Sequence, residues 1–397
     1  MNDVFVVDAV RTWFGRFRGG LSGARPDDLA AWVLRALVNR NPAISDRLDD
    51  VYFGNANGAG EENRNVARMA VLLAGLPVSV PGATVNRLCG SSLEAVIQAR
   101  RAIAVGDADL IVAGGVESMT RAPWVVPKPD RGFPHAEQTM FSTSLGWRMV
   151  NPRMPAQWTV PMGEGAEILA DRYGISRDEQ DAFALRSHTR AALALQSGRL
   201  GSEVAAGEWD LGADESLRRD TSLEALATLR PAFRAGGTVT AGNSSPLNDG
   251  AAAVLLASAD AVDRLGLPAL ARVAGCGVSG VSPELFGLGP VEASRRALKA
   301  AGASPGDVRA VEINEAFAAQ VLACLRELPE LDAEIVNPNG GAIAIGHPLG
   351  ATGARLVGTL TYQLAAIGGG LGLATACIGV GQGLAVVLES CVDREVR

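Results

Sequence analysis

Residues 356–388 carry no charged side chain, a run long enough to cross a bilayer. Such a stretch has to be buried on every side, in lipid or in protein. Seven glycines between positions 368 and 383 decide between the two, because turns and closely apposed buried strands suit them better than a lipid-facing helix does. The expectation is a protein core, and no membrane insertion. An apolar share of 48% with only 5% aromatic residues and 47 glycines fits tightly packed layers of strands and helices. A length of 397 residues exceeds what one core usually serves, so two or three packed units are expected.

Short apolar runs such as Leu110-Ile111-Val112-Ala113 and Ala252-Ala253-Val254-Leu255-Leu256 read as buried strands, and helical spacing such as Leu93, Val96, Ile97 lies between them. That alternation predicts an α/β protein. Residues 86–118 run turn, Cys-Gly-Ser, helix, strand, Gly-Gly; residues 346–383 run turn, Leu-Gly-Ala-Thr-Gly, helix, strand, Gly-rich turn. We read this as a duplicated α/β half. Residues from about 120 to 240 break the pattern with many Pro, Trp and Arg residues and then polar helical pieces, and look like an inserted subdomain.

A formal charge of −7 gives no broad positive field, so binding to nucleic acid through the phosphate backbone is not expected. The five cysteines form no CxxC pair, and with histidine only at 135, 188 and 347 no zinc spacing can be assembled, so no metal is expected. The chain starts on a strand-like Val4-Phe5-Val6-Val7 without an export signal, which predicts a cytoplasmic setting with reduced cysteines.

Four positions attract chemistry. Cys89 follows a polar approach, Asn86-Arg87-Leu88, and opens a helix through Gly90-Ser91-Ser92, where free N–H groups and the positive helix end favour a thiolate. His347 sits between glycines and Pro348 at a loop-helix junction, and imidazole is the natural proton carrier near neutral pH. Cys377 begins Cys377-Ile378-Gly379-Val380-Gly381-Gln382-Gly383 at a strand end, where the glycines leave main-chain N–H groups open to a ligand oxygen; their spacing is not a dinucleotide fingerprint. Asn314-Glu315-Ala316-Phe317 follows a strand-like 308–313 and is expected to start a helix, with the Asn314 side chain free to orient a water or a carbonyl oxygen. Each residue alone would more often be an inert core group or a cap. Their value lies in occurring together, beyond the carboxyl ends of strands where ligands of α/β sheets gather.

These segments, in this order and spacing, resemble the thiolase family over essentially the whole chain. The resemblance is carried by Val85-Asn86-Arg87-Leu88-Cys89-Gly90-Ser91, Gly114-Gly115-Val116-Glu117-Ser118-Met119, Thr240-Ala241-Gly242-Asn243 with Asn248-Asp249-Gly250-Ala251, Asn314-Glu315-Ala316-Phe317, Gly346-His347-Pro348 and the glycine run after Cys377. Within the family it resembles the subgroup acting on 3-oxoadipyl-CoA in aromatic degradation, through residues 60–67, Gly146-Trp147-Arg148 and Val380.

The resemblance implies a five-layered α/β/α/β/α fold of two βαβαβαββ halves. Residues 1–119 and 249–268 would form the first half, 120–248 an inserted loop domain that binds coenzyme A, and 269–397 the second half. It implies that Cys89 attacks the 3-keto carbon of a 3-oxoacyl-CoA, that Cys377 protonates the departing acetyl-CoA enolate, and that His347 activates Cys89 and then the coenzyme A thiol. Two oxyanion sites are implied, one from His347 with a water held by Asn314, the other from the amides of Cys89 and Gly379. Coenzyme A contacts would include Ser245, Met162, Arg218, Ala316 and Phe317, and Arg148 or Arg153 would pair a distal substrate carboxylate. No permanently bound cofactor is expected; coenzyme A and acyl-CoA are substrates, and a homo-oligomer, tetramer or dimer, is implied. Biosynthetic condensation of two acetyl-CoA molecules, a non-catalytic acyl-CoA or lipid binder of the same fold, and a papain-like hydrolase are the competing readings.

Overall fold

The computed structural model describes residues 2–129, 132 and 137–391. The apolar runs become strands: Val4–Arg11 (β1), Gly15–Arg16 (β2), Asp50–Gly54 (β3), Ala83–Val85 (β4) and Leu110–Ser118 (β5). Trp124–Val125 (β6) and Phe141–Ser142 (β7) form a separate ribbon. Asn248–Ser258 (β8), Ala271–Gly280 (β9), Val308–Ile313 (β10), Leu371–Ile378 (β11) and Gln382–Ser390 (β12) complete the set. The main sheet runs β10-β11-β12-β9-β1-β8-β5-β3-β4, with β2 added against β8.

The order repeats. β3 pairs β5 in parallel, β5 pairs β8 and β8 pairs β1 antiparallel; likewise β10 pairs β11 in parallel, β11 pairs β12 and β12 pairs β9 antiparallel. Even the outermost contact repeats, since β3 takes β4 as a parallel neighbour and β10 takes a parallel bridge between Val311 and Val336. The halves meet where β1 and β9 pair through Phe5 with Arg272 and Val6 with Ala271.

Side-chain alternation along the strands builds the layers. In β5, Ile111 and Ala113 face a central core with Leu93, Val96 and Ile97 of the helix Ser91–Val105 and Leu356, Val357 and Leu360 of the helix Leu349–Ala366. Ala374 and Ala376 of β11 close the same core from the other half. Leu110, Val112 and Val116 point outward to Leu29, Val33 and Leu37 of the helix Pro26–Arg40. Leu373 and Val387 point outward to Ala293 and Ala297 of the helix Gly289–Ala301 and to Val321 of Ala318–Glu327. Helix, half-sheet, helix pair, half-sheet and helix give five layers. The uncharged stretch is accounted for, because it supplies most of the central helix, β11 and β12; among the described residues no helix is long and apolar enough to cross a membrane.

Candidate active site

The Cys89 turn is set by its neighbours. Asn86 Oδ1 accepts from Leu88 N at 3.0 Å, and Ser91 Oγ accepts from Arg87 N at 3.0 Å while donating to Leu88 O at 2.6 Å. Leu88 is thereby held at φ 47°, a left-handed conformation that costs a leucine energy and that only surrounding structure can impose. Gly90 lets this turn of the first half lie against β11 of the second: a Cβ there would come within 2.5 Å of Ile378 Cδ1.

The Cys89 sulfur accepts from the N–H of Gly379 and from its own N–H. Burial outweighs those donors, and with the charge of Glu117 nearby the thiol is pushed up to about 11. The thiolate-favouring environment expected from a helix start is therefore not the resting state. Cys89 rests protonated.

His347 presents an unprotonated ring nitrogen toward Asn314. Thr352 Oγ1 donates to Pro348 O at 3.0 Å, so the 2.7 Å contact between Oγ1 and His347 Nδ1 requires the hydrogen on Nδ1. Nε2 keeps its lone pair, 3.3 Å from Asn314 Nδ2. Burial, aided by the Arg355 charge, pulls the imidazole down to about 3, which leaves it neutral. The His347 main chain is fixed by Asn248 Oδ1 at 2.9 Å.

Asn314 corrects the sequence reading. It does not start a helix. Its N–H donates to Thr375 O at 2.9 Å and so prolongs the β10 ladder, Phe317 is extended at φ −148°, ψ 145° and bridges to Ser244, and the helix begins at Ala318. Glu315 drives this, being buried and accepting from Ser187 Oγ, Asn337 Nδ2 and Ile343 N, which pins the segment against the fold. The result points Asn314 at His347, with its Oδ1 buried and without a partner among the described residues.

Cys377 is 1% exposed at the end of β11, among Met162, Phe286, Ala316 and Phe317. Burial first, and then the nearby Cys89, push its thiol well up, so it holds its proton. The turn beyond it places Val380 at φ 65° and Gly381 at φ 76° and presents Gly379 to Cys89.

A cavity of about 390 Å³ opens over Cys89, Gly379 and Met162 and extends to Trp147 and Arg148. Among the described residues, Arg148 is the cation of its lining and Glu117 the anion. Arg153 is not on this wall, and its N–H groups turn to Asn151 Oδ1. The expected coenzyme A positions divide. Met162 lines the Cys89 cavity, whereas Arg218 lines a second cavity of about 370 Å³ with His188, Ser244 and Pro246. Ser245 donates through N and Oγ to Ala316 O at 3.0 and 3.1 Å, and the Phe317 ring packs edge-on against Phe233 and Phe286 at 5.9 and 6.2 Å between centroids.

Residues 4–260 match the family model of the thiolase N-terminal domain and residues 267–390 that of the thiolase C-terminal domain. The chain belongs to the thiolase family, whose members are acyltransferases. It is 53% identical to a Beta-ketoadipyl-CoA thiolase of Pseudomonas putida, over 98% of this chain and 100% of that protein. It is 52% identical, at the same coverage, to a 3-oxoadipyl-CoA/3-oxo-5,6-dehydrosuberyl-CoA thiolase of Escherichia coli. Among solved structures, human mitochondrial 3-ketoacyl-CoA thiolase in complex with CoA superposes with a TM-score of 0.92 at 40% identity, over 98% of each chain.

Proposed function

We propose that this thiolase cleaves 3-oxoacyl-CoA esters whose acyl chain ends in a carboxylate, 3-oxoadipyl-CoA among them. The observation that carries the reading is the cavity over Cys89, whose lining among the described residues holds one cation, Arg148, and one anion, Glu117, and is otherwise largely apolar. The names of the relatives support it.

In the proposed reaction Cys89 gives its proton to His347 Nε2 and its sulfur attacks C3 of the substrate. The developing oxyanion is held by N–H donors, and losing one such donor costs about a hundredfold in rate. We assign one oxyanion site to the amides of Cys89 and Gly379, and the other to His347 with a water held by Asn314. The C2–C3 bond then breaks, Cys377 gives its proton to the acetyl-CoA enolate, and the shortened acyl group stays on Cys89. The proton held by His347 passes to the Cys377 thiolate; coenzyme A then enters, yields its thiol proton to His347 and takes the acyl group, and His347 returns that proton to the released Cys89 thiolate. Ser245, Met162, Arg218, Ala316 and Phe317 are the proposed coenzyme A contacts, and no permanently bound cofactor enters the scheme. The same proposal takes 1–119 with 249–268 and 269–397 as the two halves, 120–248 as the inserted domain, the cytoplasm as the setting and a homotetramer built from dimers as the assembly.

Thiolysis of 3-oxoadipyl-CoA and of acetoacetyl-CoA by the wild type and by Arg148→Gln tests the reading. The wild type should favour 3-oxoadipyl-CoA, and the variant should lose about tenfold or more in kcat/KM for it alone, the worth of a charge-assisted hydrogen bond. A wild type that favours acetoacetyl-CoA would overturn it.

A further inference from the structure

Glu117 lines the cavity beside Cys89 and takes no part in the scheme above. It stands near the end of β5, in a strand otherwise apolar up to Val116, and is 3% exposed. Its carboxylate accepts three main-chain hydrogen bonds, from Ala56 N at 2.9 Å and Gly350 N at 2.9 Å on Oε2, and from Asn57 N at 3.1 Å on Oε1. A buried carboxylate so satisfied is expensive to place there unless its position matters.

The three partners lead to both ends of the chemistry. Gly350 lies in the first turn of the helix Leu349–Ala366, immediately after His347-Pro348, and a Cβ at Gly115 would fall 2.0 Å from its carbonyl, so only glycine lets that turn come down onto β5. Ala56 lies in the loop after β3, and its carbonyl accepts from Asn86 Nδ2 at 3.0 Å. Asn86 in turn holds Leu88 N, and with it the left-handed residue before Cys89. One carboxylate thus joins the nucleophile turn of the first half to the histidine turn of the second.

We propose that Glu117 is a positioning residue that fixes the Cys89 turn relative to the His347 turn. The titratable groups acting around it are consistent with this: burial pushes Glu117 up to about 7, Glu62 adds to that, the three N–H donors oppose it, and its charge raises the Cys89 thiol. The inference rests on the thiolase reading of the site.

The test uses the full-length protein and two variants. Glu117→Gln keeps the shape but turns one acceptor oxygen into an amide group that cannot receive an N–H. It should lower kcat for thiolysis by about tenfold or more with KM within about threefold, as expected when reacting groups are slightly misplaced. It should also move the pH midpoint of Cys89 alkylation by iodoacetamide downward, a shift that mere loss of packing would not give. An unmoved midpoint, or kcat within about twofold of wild type, overturns the proposal. If Glu117→Gln fails to fold, Glu117→Asp decides, since it keeps the charge but draws the carboxylate back from its three N–H donors: about a tenfold loss in kcat with KM within about threefold supports the proposal, and wild-type kcat overturns it. Inactivity of the wild type would instead discredit the thiolase reading, while the alkylation midpoint would still report on Glu117.

Discussion

Arg355 and Glu312 form an ion pair at 2.6 Å with both side chains 0% exposed, and the Arg355 charge acts on His347. Glu312 is pushed up to about 8 by burial, against the pull of Arg355. The pair is costly to build and costlier to break, because a single deletion strands the other charge. Glu312→Ala should destabilise the fold by about 3–5 kcal/mol in denaturant unfolding, whereas replacing both partners together with Leu and Met should cost far less. A single variant as stable as the double one would contradict this. At this scale the sequence was most legible where a residue type has few uses: Cys89, His347 and Cys377 stood out among five cysteines and three histidines. Glu117 did not, although it lay inside a quoted motif. Acidic residues are common, and only a fold that brings Ala56, Asn57 and Gly350 around it gives it meaning.

The two central helices touch through glycine. A Cβ on Gly353 would lie 2.2 Å from Leu93 N, so the helix Leu349–Ala366 can approach Ser91–Val105 only without a side chain there. Gly353→Ala should therefore cost about 1–3 kcal/mol of stability, despite alanine's better helix propensity, and a thermal melt would read it. A stabilised variant would mean that the helices are farther apart than described. Helix and strand identities were legible from apolar spacing, since β1, β5, β8 and both central helices follow it. The segment 314–317 was not, because Asn-Glu at a strand end reads locally as a helix start. What keeps it extended is Glu315, whose partners Ser187, Asn337 and Ile343 are distant in sequence or beyond the turn.

Across the whole molecule, burial sets an unusual balance of proton affinities. His347 is pulled down to about 3 and His188 to about 4, both below their unfolded value of 6.5. A lowered folded value means that the unfolded chain takes up protons first as pH falls, so the contribution of each histidine is full above 6.5 and is lost below it. Glu117 and Glu312, both raised, act in the opposite sense, so the readout is the difference between proteins. Between pH 7 and pH 5, His188→Gln should lose about 2 kcal/mol less stability than the wild type, measured by urea unfolding. Equal losses would mean that His188 is solvated. The duplication was legible at this scale, because both halves repeat the same turn-helix-strand order. The separation of Met162 and Arg218 into two cavities was not, since neither residue carries a signal of which wall it will face.

All the proposed chemistry passes through one covalent bond at Cys89. The most direct measurement is intact-protein and peptide mass spectrometry after brief mixing of the full-length protein with acetyl-CoA. The reading developed above predicts an acetyl group on the peptide bearing Cys89, absent in Cys89→Ala. A protein that turns over its substrate while Cys89 stays unmodified, or an acetyl group found on another residue, would contradict it.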